Sequence, residues 1–277
     1  MSAPRLHYEL QALLNAEIPN AIVNLFNLPK EYFTNFKNLI GKTFILEAGI
    51  KSTPLTDRVG LKPPLSNTIL RGFIVNIIGN PYTREGNQLT FFINPSPLST
   101  SGNVLCEIKE GDSLKDKFKN ALQSLYPQAI ITTTGSTIAS NFKENIVFKS
   151  FSEVQERAKQ NKILVFIDKQ GFTIADTQTK PTEPIKLKAT DFLEQPRMED
   201  AVTITMSLFE RGDIFVDSLI EIPDKLFQQV STGISMLGVT PPLLLTGKFR
   251  VWSVWHRGDS RSLEGQSWAL NLKAVKV

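Results

Sequence analysis

The last arm of the chain, TGKFRVWSVWHRGDSRSLEGQSWALNLKAVKV from Thr246 to Val277, most constrains what it can fold into. Two runs alternate bulky and polar residues, Phe249 to Val254 and Trp268 to Lys273, on either side of a polar, glycine-bearing stretch from His256 to Gly265. Successive side chains of a strand point to opposite faces, so this alternation across a turn reads as a half-buried β-hairpin. The hairpin is expected to close a small barrel that an earlier part of the chain repeats.

That earlier part runs from Phe36 to Asn94. Thr43 to Gly49 reads as a strand ending at glycine, Pro54 to Asn67 as a loop, Ile69 to Ile78 as a strong strand and Leu89 to Ile93 as its partner. The link Gly79 to Asn87 carries proline, which fixes φ, and glycine and asparagine, which tolerate positive φ. Leu70, Gly72 and Val75 followed by Glu85-Gly86 parallel Leu245, Gly247 and Val251 followed by Glu264-Gly265. Each hairpin follows an extended apolar stretch, Thr43 to Gly49 and Asp213 to Ile222. Self-similarity in fixed order points to a tandem repeat. In residues 1–36, Leu6, Leu10, Leu13 and Leu14 share a helical face, punctuated by Pro19 and Pro29. An arm packing on a neighbour and a frayed terminus are both open readings there.

The middle changes character. Ser113 with Asp116 matches a capping box, and Leu114, Phe118, Leu122 and Leu125 form a helical stripe that ends before Pro127. A strand at Ala129 to Thr133 follows, then a strand at Asn145 to Lys149 and a second capping box, Ser152 with Gln155, opening a helix to Gln160. Strands Ile163 to Ile167 and Phe172 to Ala175 flank a tight turn at Asp168 to Gly171. Thr177 to Pro184 reads as a linker. The fold class is therefore α+β, mainly β: two small β-barrel domains (1–100, with the N-terminal arm, and 192–277) flanking two small α+β inserts (101–140 and 141–191).

Chemistry is sparse. Ile40-Gly-Lys-Thr43 lacks the glycine that a phosphate-binding loop needs five positions before Gly41, where Phe36 stands. Gly111-Asp-Ser-Leu114 spells a hydrolase signature, but a serine nucleophile needs a histidine base held by a carboxylate, and only His7 and His256 exist. The helix cap is the better reading of Ser113. His256 and Asp259 lack clustered ligand spacing for a metal, so a histidine hydrogen-bonded across its own turn is expected. Arg211-Gly-Asp213 and Arg257-Gly-Asp259 read as turns, and Trp252 and Trp255 as pointing to opposite faces. Cys106, the single cysteine, rules out an intrachain disulfide and reads as a buried thiol. A net charge of +4 without a basic block argues against a nucleic-acid groove. Neither a leader pattern nor a membrane-length apolar run is seen, so a soluble protein made and assembled in the cytoplasm is expected.

Two resemblances follow from these residues. Gly247 to Arg261, with Ser267-Trp268, resembles the C-terminal hairpin of baseplate hub proteins of tailed, contractile-tailed type bacteriophages. Ile69 to Ile78 with Pro95-Ser-Pro97 resembles that family's first barrel, and Phe192 to Pro196 with Arg211-Gly-Asp213 its entry to the second. The resemblance implies a non-enzymatic structural protein of the virion tail baseplate, without cofactor or metal. It implies a homotrimer, two barrels per chain, that adapts a six-fold tail tube to a three-fold central spike and touches other baseplate proteins. Nucleic acid would be met only in passage, and a membrane not at all. Trp255, His256, Arg257, Asp259, Arg261 and Trp268 are the interface residues expected on this basis. Gly111-Asp-Ser-Leu114 also loosely resembles the first helix of glycan-binding LysM modules, which keeps a peptidoglycan-binding or cell-wall-degrading tail protein as the alternative.

Overall fold

The structure, a computed structural model, describes residues 5–13, 21–29, 31–49, 67–83, 86–94, 102–169, 171–176, 183–222, 246–262 and 267–277. The chain begins with β1 (Arg5–Leu13) and β2 (Ala21–Phe26), a one-turn helix α1 (Glu31–Asn35), then β3 (Thr43–Ala48), β4 (Asn67–Thr83) and β5 (Gly86–Asn94). The middle segment comprises β6 (Val104–Ile108), α2 (Leu114–Leu125), β7 (Ile131–Thr134), β8 (Glu144–Phe148), α3 (Phe151–Gln160), β9 (Ile163–Ile167) and β10 (Phe172–Asp176). The last third returns to strands: β11 (Ile185–Lys186), β12 (Arg197–Met198), β13 (Thr203–Phe209), β14 (Leu219–Ile222), β15 (Gly247–Asp259) and β16 (Trp268–Lys276). The class is α+β and mainly β, as the alternation implies.

The helical face expected for the N-terminal leucines does not form. Residues 5–13 are a strand in which Tyr8, Leu10 and Ala12 are buried at period two; Leu14 lies outside the described residues. The cause is tertiary. β1 lies antiparallel between β15, with Leu10 opposite His256, and β2, with Leu10 opposite Ala21. Two flanking ladders satisfy its backbone groups on both sides, which overrides a weak local helical period.

This hairpin joins the two ends of the chain. The main sheet runs β12-β13-β16-β15-β1-β2-β5-β4-β3, with β14 and β11 beside the first half of β15. One apolar core lies beneath it, shared by Leu10, Val23, Ile69 and Ile93 with Ile204, Leu208, Val251 and Leu270. The middle segment packs a core of its own around Phe118, Leu122, Phe148, Val154 and Phe172. Arg211 fastens the halves together: its backbone bridges Gly49, and its guanidinium, nearly buried, holds Asp213 at 2.7 Å and Asp191 at 3.1 Å.

The pairing registers repeat. Phe73 of β4 stands between Thr43 and Asn94, and Arg250 of β15 between Leu219 and Val275. At the next residue Ile74 donates to Lys42 O and accepts from Gly41 N, while Val251 donates to Ser218 O and accepts from Asp217 N. Gly41 and Asp217 share a left-handed backbone, φ 80° and 70°. The second position uses a non-glycine residue there, which aspartate tolerates better than most. A register shift then falls at Val75 in β4 and at Trp252 in β15. β3-β4-β5 and β14-β15-β16 are thus one three-stranded unit made twice. The turn expected after Ile78 is shorter than the sequence suggests, since β4 continues to Thr83.

In the middle segment Ser113 caps α2, accepting from Asp116 N at 3.4 Å. The cap of α3 is Ser150, not Ser152. Ser150 has the extended backbone a cap needs and accepts from Glu153 N, while Glu153 reaches back to Lys149 N. Gln155 instead donates to Val165 O of β9. Lys115 is buried against Asp176 at 3.3 Å, tying α2 to β10. The Pro54 loop, most of the Thr177 linker, Leu245 and Gly265 lie outside the described residues.

Strand alternation in β1 makes a direct test. Leu10→Ala should cost about 2–5 kcal/mol in denaturant unfolding, whereas Gln11→Ala, exposed beside it, should stay within about 0.5 kcal/mol. Equal costs would contradict the assigned faces.

Candidate assembly interface

The expected interface residues lie on β15 and around its joint with β1. Val254, His256 and Gly258 point into the core, while Ser253, Trp255 and Arg257 face out. The two tryptophans are on the same side. Period two would place Trp252 and Trp255 on opposite faces, but the bulge at Trp252 inserts a residue and shifts the phase, leaving them 40% and 36% exposed. The Arg257 guanidinium lies 4.4 Å over the Trp255 ring and 3.6 Å from Glu9 of β1. Trp255 forms one wall of a cleft of about 300 Å³ whose other walls include Gln11, Arg197, Ser207, Asn271 and Lys273. A flat aromatic face beside cations and amides suits contact with another polypeptide.

His256 is not part of this surface. It is fully buried, with its Nδ1 2.7 Å from Glu210 Oε1 and Phe215 stacked on its ring at 6.0 Å. Its partner is therefore Glu210, at the end of β13, and not Asp259 across a turn. No turn exists at Arg257-Gly-Asp259, because β15 runs on to Asp259; only Gly212-Asp213 of the two tripeptides turns. Tyr8 completes the cluster. Burial first, and the nearby Glu210 charge second, push its phenol far up. Burial likewise pushes the Glu210 carboxyl up, and His256 beside it pulls part of that back. The Tyr8 hydroxyl, Glu210 Oε2 and His256 Nε2 make no well-formed hydrogen bond among the described residues. Sealed in this way, the trio has no path to a substrate, and it holds β1, β13 and β15 together at their crossing.

The joint needs glycine at one position. A Cβ on Gly258 would come 2.1 Å from the Tyr8 ring, so the aromatic ring occupies the space that any side chain would take. Trp268, half-buried, meets Tyr8 edge-on at 6.2 Å and 72°. It supports the joint rather than the outer face. Asp259 is nearly buried and accepts from Arg5 Nε at 2.9 Å and from Arg261 N at 3.1 Å. The Arg5 guanidinium and these bonds hold its carboxyl down at about 2. Arg261 is exposed just past the strand. Of the six expected residues, Trp255, Arg257 and Arg261 present themselves to solvent, and His256, Asp259 and Trp268 are spent inside the chain.

Elsewhere, Asp112 accepts from Lys109 N and pairs with Lys117, and Ser113 is committed to its cap. Cys106 is buried, with its thiol pushed up by that burial. Among the described residues no group of three or more His, Cys, Asp or Glu side chains gathers to hold a metal, and no helix is long and apolar enough to cross a membrane.

Gly258→Ala should lower the melting temperature sharply, and Tyr8→Ala in the same chain should recover part of the loss; a full, additive loss would show that the ring is not the obstacle. Asp259 has an unfolded value near 3.8 and a depressed folded one, so its stabilisation is present above that value and lost as pH falls toward 2. Asp259→Asn should therefore unfold more easily at neutral pH and show a flatter acid limb in melts between pH 4 and 2.

No protein-family model matches the sequence, and no curated protein is similar to it in sequence. Solved structures do share its fold. A component of the Escherichia coli type VI secretion system, itself described as similar to the bacteriophage T4 tail proteins gp27 and gp5, matches 99% of this chain and 73% of its own with a TM-score of 0.56 at 8% identity. A tail protein from Neisseria meningitidis matches 98% of this chain and 91% of its own, TM-score 0.56 at 11% identity. The 43 kDa tail protein of prophage MuSo2 from Shewanella oneidensis matches 100% and 97%, TM-score 0.53 at 8% identity.

Proposed function

We propose that this chain is a non-enzymatic baseplate hub of a phage-type tail, a homotrimer that adapts a six-fold tail tube to a three-fold central spike. The observation that carries the reading is the three-stranded unit made twice in one chain, down to the shared left-handed residue and bulge. Two similar units per chain let three chains present six near-equivalent positions on one face while keeping three-fold symmetry on the other. The fold shared end to end with tail and secretion-system proteins supports it. On this reading each repeat belongs to a small barrel (residues 1–100 and 192–277), and residues 101–140 and 141–191 are inserts. The tube, the spike and other baseplate proteins are the partners, in the virion tail.

Trp255, Arg257 and Arg261 are then contact residues. Their chemistry fits that use: a partly exposed tryptophan stacked under a guanidinium is pre-ordered and gains area when a partner covers it. The glycan-binding alternative has no observation in its favour, since Asp112 is engaged by Lys109 N and Lys117 and Ser113 is used in capping α2.

Light scattering of the purified chain, alone or with tube or spike protein added, should give a mass near three chains. A strict monomer under both conditions overturns the reading. Trp255→Ala should weaken assembly with a partner while moving the unfolding free energy by no more than about 0.5 kcal/mol, because an exposed ring contributes little to the fold.

A further inference from the structure

The middle segment keeps one strand edge that its own fold does not use. α3 lies between two strands. On one side is β9, an end strand of the sheet β7-β10-β9, whose Val165 carbonyl accepts from Gln155 Nε2 of α3 at 2.8 Å. A side chain thus caps that edge. On the other side is β8, which pairs with β6 alone among the described residues. Asn145, Ile146 and Val147 hold no hydrogen bond there besides those of the β6 ladder. Alternate N–H and C=O groups of such a strand point away from its one partner.

Composition leaves the edge open as well. Edges are usually blunted by proline, lysine or a bulge. Glu144 to Phe148 has neither residue, and its register with β6 runs unbroken from Ile108 to Val104. Its outer face is apolar, with Val147 and Leu105 opposite each other at 46% and 68% exposed. A groove of about 340 Å³ separates β8 from α3. The helix runs antiparallel to the strand along it. Glu153, near the start of α3, accepts from Lys149 N just past the end of β8, and Arg157, a turn later, pairs with Glu144 at its beginning. The charged residues lining the groove are Glu144, Glu153, Glu156 and Arg157, three carboxylates to one guanidinium.

We propose that β8 accepts an added strand from a partner protein, an extended segment in which basic and apolar residues alternate. Main-chain bonds to the β8 edge supply affinity, and alternate side chains supply the choice of segment. Residues level with Val147 continue the apolar row from Leu105, and residues level with Ile146 and Phe148 turn toward α3. There Glu153 and Glu156 meet a lysine or an arginine. The occupant is extended because the groove exposes a strand edge, and basic because its walls are acidic. The same walls repel an acidic segment. This site lies apart from β15 and does not depend on how many chains assemble.

The test uses the full chain and a short peptide with blocked ends that alternates lysine with valine. Calorimetry should show one peptide bound per chain. Hydrogen exchange should show amides of β8 slowed, with those of the capped β9 unchanged. The same peptide with glutamate for lysine, or with its backbone nitrogens methylated, should not bind. Glu156→Lys should weaken binding about three- to tenfold, since an exposed attraction becomes a repulsion. Val147→Lys should weaken it too, as lysine blunts natural edges. Both positions are exposed, so the melting temperatures of these variants should hold. Absence of binding, equal binding of the methylated peptide, or protection away from β8 overturns strand addition. Protection of β8 that grows with chain concentration in the absence of peptide makes a second copy the occupant and overturns the partner assignment.

Discussion

The structure depends on the backbone edges that β1 and β2 cover. A strand edge left in water is a row of unmet donors and acceptors, and one left beneath other elements is costly. β15 turns such an edge toward β1, and β5 turns one toward β2. β1 and β2 thereby join sequences more than 150 positions apart into one sheet over one core. Without them the two repeated units would have separate edges and a divided apolar floor.

The crossing of β1, β13 and β15 shows how that joint is made specific. Tyr8, Glu210 and His256 bury polar groups that an apolar trio would not have to desolvate, and only part of their bonding capacity is met. Removing one member would leave its buried neighbours with still fewer partners, which costs more than the cluster itself contributes. Gly258 adds a steric condition, since the Tyr8 ring lies where its side chain would be. These groups look catalytic in composition but are closed to solvent, and the outward chemistry of the same strand is carried by Trp255 and Arg257.

Much of the fold was legible in local pattern. The hairpin from Phe249 to Lys273, the strands around Ile69 and Leu89, the helix behind Ser113 and the class as a whole follow from period two, period 3.6 and capping residues. The repeat was visible only faintly, because it is held by register and by a bulge rather than by identity: Asp217 does the work of Gly41, and Trp252 that of Val75. The site was half legible. Alternation counted from Trp252 fails at the bulge, and the acid nearest His256 in sequence is Asp259 whereas its partner Glu210 stands 46 residues away.

The sequence by itself determined the strands and helices from β3 to β10 and the hairpin of β15 and β16, since those choices depend on neighbours a few residues apart. Tertiary structure decided the rest: that residues 5–13 are a strand, that His256 belongs to Glu210, and which tryptophan faces are exposed. Each of these turns on a partner far along the chain, whose position no local period encodes, and on the requirement that every buried backbone group find one.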